Sequence, residues 1–256
     1  MKIIIHQKSE VFASIFQNIK NFSDHINIEF NQEGLYLQTM DTSHVSIVEL
    51  KIPSLWFDNY ECSETIVIGI SSAIVGKILS LKDKSQILEV EVSQDKLLIH
   101  FLSHIDNPST TVFEKHFEIP LIDIDSERME IPNIESQAEF TLVSSHFADL
   151  INQLKIFGDT MDIQCSEEKI VLYSNSQENG KMSVDIKIDE LKSFAIEEGK
   201  TVKLSYSLNY LHHICAFHRL SRVVELKLCN DYPLQVLYNL GQDAILALYL
   251  APKMEE

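Results

Sequence analysis

Apolar residues near the start of the chain recur every three or four places. Val11, Phe12, Ile15, Phe16, Ile19 and Phe22 form one stripe, which predicts an amphipathic helix over about 9–22. Ser9, just ahead of Glu10, is its expected N-cap. The pattern then changes to short apolar-rich or alternating runs, the signature of strands. Ile26-Asn27-Ile28-Glu29-Phe30, Leu35-Tyr36-Leu37, Ile47-Val48-Glu49-Leu50, Ile66-Val67-Ile68, Leu88-Glu89-Val90-Glu91-Val92 and Leu97-Leu98-Ile99 read this way. Turn residues such as Asn31-Gln32-Glu33-Gly34 separate them as hairpins. Ile74, Val75, Ile78 and Leu81 predict a second, shorter helix over about 72–81.

The pattern is then written a second time. Phe12-Ala13-Ser14-Ile15-Phe16-Gln17-Asn18-Ile19-Lys20-Asn21-Phe22 returns 135 positions later as Phe147-Ala148-Asp149-Leu150-Ile151-Asn152-Gln153-Leu154-Lys155-Ile156-Phe157. Ile28, Glu33, Leu35 and Leu37 meet Ile163, Glu168, Ile170 and Leu172 at the same offset. One inserted residue later, Val48-Glu49-Leu50-Lys51-Ile52 meets Val184-Asp185-Ile186-Lys187-Ile188. The second copy of the long helix takes Ser144 or Ser145 as N-cap, and the copy of the short helix falls at about 208–218. The period is far longer than that of a solenoid, so this is a duplicated domain. The expected organisation is a first domain over 1–120, a connector over 121–135 and a second domain over 136–256. Two helices over antiparallel sheets, twice, make an α+β fold.

Composition adds little until it is divided by position. The 256 residues hold 21 Lys+Arg against 38 Asp+Glu, a formal charge of −17, which argues against nucleic acid on average. The four predicted helical segments (9–22, 71–84, 144–158 and 207–222) reverse that balance, with seven basic side chains against three acidic ones. The helices therefore offer a mildly positive surface on a strongly negative body, which reads either as chance variation on solvated helix faces or as a shallow track for a phosphate backbone. No apolar run approaches the ~20 residues that a membrane span needs, and the start of the chain lacks a signal-peptide pattern. Cys62, Cys165, Cys215 and Cys229 lie far apart without a C-x-x-C, which reads as free thiols in a reducing, intracellular compartment. Seven glycines and no phosphate-binding glycine loop exclude the usual nucleotide motifs.

Three stretches resemble the proliferating cell nuclear antigen family of eukaryotic-type DNA sliding clamps. The first is Gly34-Leu35-Tyr36-Leu37-Gln38-Thr39-Met40-Asp41-Thr42-Ser43-His44-Val45-Ser46-Ile47-Val48, continuing to Phe57-Asp58-Asn59-Tyr60-Glu61-Cys62. The second is the connector, Leu121-Ile122-Asp123-Ile124-Asp125-Ser126-Glu127-Arg128-Met129-Glu130-Ile131-Pro132. The third is the end of the chain, Leu248-Tyr249-Leu250-Ala251-Pro252-Lys253-Met254-Glu255-Glu256. The resemblance implies duplicated clamp domains, a head-to-tail homotrimer closed into a ring, and helices lining a central hole. It places the strand near 111–117 against the neighbour's strand near 181–185. It implies sequence-independent binding of duplex DNA, a clamp loader, and clients such as DNA polymerase that carry a short hydrophobic clamp-binding motif. No catalysis, cofactor or membrane is implied. The implied setting is the nucleus, or the replication compartment of a virus.

By the same resemblance, Met40, His44, Val45, Met129, Ile131, Pro233, Tyr249, Ala251 and Pro252 form the client groove. Flexible Met and fixed Pro suit a cavity that takes one helical turn with apolar anchors. Lys20 and Lys77 match basic channel positions, and Lys155 and His213 occupy the repeat-equivalent sites. Lys82, Lys84 and Arg219 flank the helices. Ala13, Ser14, Ser80, Asp149, Asn152, Asn209 and Ala216 stand where the family is usually basic, so weak DNA contact is expected. The alternative is a clamp-like paralogue or a checkpoint-type clamp subunit. His212, His213 and His218 are one, five and six apart, not the three or four that a metal pair on one helix face needs. Asp123, Asp125 and Glu127 read as a solvated connector, and no motif points to a hydrolase.

Overall fold

The computed structural model describes residues 1–103, 112–125, 128–132 and 134–253. The chain divides into two compact units. Unit 1 comprises Met1–Thr42, Val48–Arg128 and Leu240–Leu246; unit 2 comprises Ser43–Ile47, Met129–Asn239 and Ala247–Glu256. The stretch read as a connector, 121–135, is shared between them, its first part in unit 1 and its second in unit 2.

In chain order unit 1 carries β1 (Lys2–Ile5), α1 (Ser9–Ile19), β2 (His25–Asn31), β3 (Gly34–Met40), β4 (Ser46–Pro53), β5 (Asn59–Glu61), β6 (Ile66–Ser71), α2 (Ser72–Leu79), β7 (Ile87–Ser93), β8 (Lys96–Leu102) and β9 (Lys115–Pro120). The first residues of β4 fall in unit 2. One ladder runs β5-β1-β7-β8-β9 and a second runs β4-β3-β2-β6. The alternation foreseen along these strands puts Ile26, Ile28, Phe30, Leu35 and Leu37 in the core. α1 buries Phe12, Ile15, Phe16 and Ile19. Gly76 brings α2 close to it, since a Cβ there would lie 3.1 Å from the carbonyl oxygen of Phe16. Trp56 is almost fully buried, and its indole N–H donates to the carbonyl of Leu240 at 3.2 Å. Trp56→Phe strands that buried acceptor, so urea unfolding should show a loss of about 1–3 kcal/mol.

Unit 2 carries β10 (Ala138–Val143), α3 (Ser144–Leu154), β11 (Thr160–Cys165), β12 (Lys169–Ser176), β13 (Gly180–Lys187), β14 (Ser193–Ile196), β15 (Val202–Ser207), α4 (Leu208–Cys215), β16 (Val223–Cys229), β17 (Tyr232–Gly241) and β18 (Ala244–Leu250). The turn end of the last hairpin, Leu240–Leu246, falls in unit 1. The ladders run β14-β10-β16-β17-β18 and β13-β12-β11-β15. Each strand of unit 1 has its counterpart nine strands on, in the same order. The duplication read from the sequence is a duplication of topology, and the α+β class holds.

Several local expectations are corrected. All four helices end before their expected bounds; after α1 the chain turns tightly, with Phe22 buried and its N–H on the carbonyl of Ile19, whereas Leu81, past α2, is left exposed. Ser9 is not a cap. Its hydroxyl is turned back to donate to the carbonyl of His6 at 2.7 Å, and α1 starts without a side-chain cap. Ser144 Oγ is buried with no partner among the described residues, and α3 also lacks a cap. The serine that does cap is Ser71, which accepts from Ile74 N–H. The strand placed near 111–117 begins at Lys115. Thr111, Ser126, Glu127, Met254, Glu255 and Glu256 lie outside the described residues.

Candidate functional site

The groove residues of unit 2 are brought together by the way its last strand ends. β18 leaves Tyr249 half-buried, with its phenol accepting from Gln235 Nε2 on β17 at 3.1 Å. Ala251 N–H then donates to the carbonyl of Val45 at 2.9 Å, tying the tail to Ser43–Ile47. Lys253 finishes the tie, with its N–H on the carbonyl of Ser205 at 2.7 Å and its ammonium on Thr160 Oγ1 at 2.6 Å. Pro252, which has no N–H to pair, sits between these two anchors.

His44 next to Val45 adopts a left-handed backbone conformation, φ 58°, and its side chain is exposed. Met129 and Ile131 are half-buried, and Pro233 is exposed on the β16–β17 side. Met40 closes β3 in unit 1 and is half-buried there. Apolar side chains in a half-exposed state are what a docking surface needs: enough support to hold them and enough free area to reward a ligand.

The basic residues of the helices fare less evenly. Lys20, Lys77, Lys84 and Arg219 are exposed, and Lys155 is half-exposed. Lys82 departs from expectation. Its side chain is only 1% exposed, its ammonium lies 3.3 Å from Glu10 of α1, and it donates to the carbonyl of Asp83. It is consumed in joining α1 to the end of α2 and offers no free charge. Lys8 is consumed in the same way, donating to the carbonyl of Trp56 at 2.8 Å and to Gln242 while lying over the indole ring. On α4, His212 Nδ1 meets Asn152 Oδ1 of α3 at 2.8 Å. Burial, with His212 and Lys155 nearby, pushes the pKa of His213 below its ordinary value.

Sequence reasoning missed Arg128. Its guanidinium lies 3.9 Å from the ring centroid of Tyr36 on β3. Neither this contact nor the Lys82–Glu10 pair leaves a mark on periodicity, because each joins residues far apart in the chain. Among the described residues no group of three or more His, Cys, Asp or Glu is arranged to hold a metal ion. No helix among them is long and apolar enough to cross a membrane.

Comparison with known proteins agrees with this architecture. The family model described as the N-terminal domain of proliferating cell nuclear antigen matches residues 4–128, and that of the C-terminal domain matches residues 130–253. A relative, the proliferating cell nuclear antigen of Chaetomium thermophilum, is 29% identical over 255 residues, covering 97% of this chain and 96% of its own. With two matched domains that together span nearly the whole chain, this protein belongs to the proliferating cell nuclear antigen family, the DNA sliding clamps.

Proposed function

We propose that three copies of this chain close head to tail around duplex DNA and tether replication and repair enzymes to it, without catalysis of their own. The observation that carries this is a mismatch between two ladder-end strands and their repeat counterparts. β9 ends the first ladder of unit 1 and β13 ends the second ladder of unit 2. Their repeat counterparts are β18 and β4. In unit 2 the tail of β18 is tied to the residues leading into β4, through Ala251 and Val45. By the same logic β9 calls for β13, and a second copy can supply it. A heterologous contact of this kind builds a ring when its rotation closes. The two clamp domains, 1–120 and 136–256, are joined by the 121–135 connector. A single species in solution near three times 29.3 kDa supports the proposal; a persistent monomer of the full-length chain overturns it.

Lys20, Lys77, Lys84, Lys155 and Arg219 are the proposed phosphate contacts, with Lys82 kept for the fold. Met40, His44, Val45, Met129, Ile131, Pro233, Tyr249, Ala251 and Pro252 are the proposed client groove. A clamp loader opens the ring in this reading, and the protein works in the nucleus or in a viral replication compartment.

A ring with so few free cations holds DNA loosely and by topology. With five such cations on each of three copies, full contact would give a log K against log[salt] slope of about −13, at about −0.9 for each phosphate, and binding of the assembled protein to short duplexes should fall well short of it. Lys82→Ala should leave that slope unchanged, whereas Lys77→Ala should reduce it. His213, with its lowered pKa, is uncharged at neutral pH. His213→Gln should then match the parent at pH 7.5, and His213→Lys should bind more tightly. The parent should gain over His213→Gln as pH falls, since protonation then adds a cation that the glutamine cannot supply. A steep salt slope, or a large loss in His213→Gln at pH 7.5, would contradict this account.

A further inference from the structure

We propose that Arg128 is a positioning residue for the client groove: seated on Tyr36, it latches the end of the connector to unit 1 and sets where Met129 and Ile131 begin. The inference rests on the groove reading above, and it adds residues that the groove does not contain. After β9 the chain crosses the β6-β2-β3 face of unit 1, touching the strands in that order. Ile122 N–H donates to the carbonyl of Gly69 on β6 at 2.8 Å. A Cβ on Gly69 would lie 2.2 Å from the carbonyl oxygen of Ile122, so the close crossing depends on glycine there. Asn27 Nδ2 on β2 donates to the carbonyl of Ile124 at 3.0 Å. The third hold is Arg128 over the ring of Tyr36 on β3.

The seat is itself held. The Tyr36 phenol donates to Glu49 Oε1 on β4 at 3.0 Å, and Glu49 is buried and paired with Lys51 at 3.0 Å. Burial and the Glu49 carboxylate push the Tyr36 pKa up to about 12, so the phenol stays a donor and the ring keeps its orientation. A cation over a fixed aromatic face is a directional contact, not a diffuse charge effect. It is also the last hold before the groove: one peptide bond separates Arg128 from Met129. Restricting that point reduces the conformational freedom that a client must otherwise remove when it binds.

The test uses the full chain and a fluorescent peptide whose single helical turn carries apolar anchors three and four residues apart. Arg128→Ala and Tyr36→Leu should each weaken binding roughly two- to fivefold, the scale of an exposed cation–π contact. The double variant should be no worse than either single, because the two act as one element. Tyr36→Phe keeps the ring but loses its tether to Glu49, so its loss should be smaller than that of Tyr36→Leu. Without peptide, hydrogen exchange at Met129, Glu130 and Ile131 should quicken in Arg128→Ala and in Tyr36→Leu, and less in Tyr36→Phe. Fully additive losses, or unchanged exchange in Arg128→Ala, would overturn the latch. Failure of the parent to bind the peptide would count against the groove alone, since the exchange measurement decides the latch by itself.

Discussion

Val184→Asp should convert the protein from a species near three times 29.3 kDa into a folded monomer at micromolar concentration. Val184 lies in β13 opposite Leu172 of β12, half-exposed, with Met182 and Ile186 on the same face. The other face of β13 is polar: Lys181, Ser183, Asp185 and Lys187 are exposed. β9 has the same two-faced character. Phe117 packs on Phe101 at 5.2 Å on one side, and His116 and Glu118 are exposed on the other. Open strands of six and eight residues with one apolar face invite another chain.

Pairing β9 with β13 would seal the apolar row containing Val184, and a carboxylate sealed there without a partner costs several kcal/mol. The loss is felt at each contact of the ring, so the assembly should fail completely, not by degrees. Sedimentation measures the mass, and urea unfolding checks that the monomer is folded. A Val184→Asp variant that remains trimeric would place the subunit contact elsewhere.

The same strands explain what could be read before the structure. The repeat was legible because each copy buries the same faces, so apolar residues recur at a fixed offset. The six strands foreseen in the first copy all lie within β2, β3, β4, β6, β7 and β8. β1 and β5 escaped notice. They span four and three residues, too few for periodicity to register, although Ile3 and Ile5 are fully buried. Capping was misjudged because a serine at a helix start has other acceptors in reach, as Ser9 finds at His6. The charge count on the helices was right as arithmetic but overstated as available charge, since Lys82 is neutralised by Glu10, 72 residues away. The groove residues came from resemblance, not from pattern, because they are scattered between positions 40 and 252. The hydrogen bond from Ala251 to Val45 spans that separation, and no local signal encodes it.

Ile131→Ala and Tyr249→Ala together should abolish the stimulation of a DNA polymerase on a primed circular template while leaving the trimer intact. Both side chains are half-exposed in the folded chain, so trimming them removes little that the core depends on. A client helix covering them would take the remaining area out of water. Ile→Ala then forfeits roughly 1 kcal/mol, because only the part still exposed counts toward the ~0.8 kcal/mol of each lost carbon. A central tyrosine in such a pocket is worth about 2 kcal/mol or more. Ile131→Ala alone should weaken a client peptide about fivefold and Tyr249→Ala about thirtyfold, and both together by about a hundredfold or more if their effects add. Tyr249→Phe separates the two parts of the tyrosine. It keeps the ring but loses the acceptor used by Gln235, so its loss should be small if the ring is the anchor. The trimer is unaffected because neither residue lies on β9 or β13. Retained stimulation in the double variant would exclude this surface as the client site, and loss of the trimer in it would show that these residues support assembly instead.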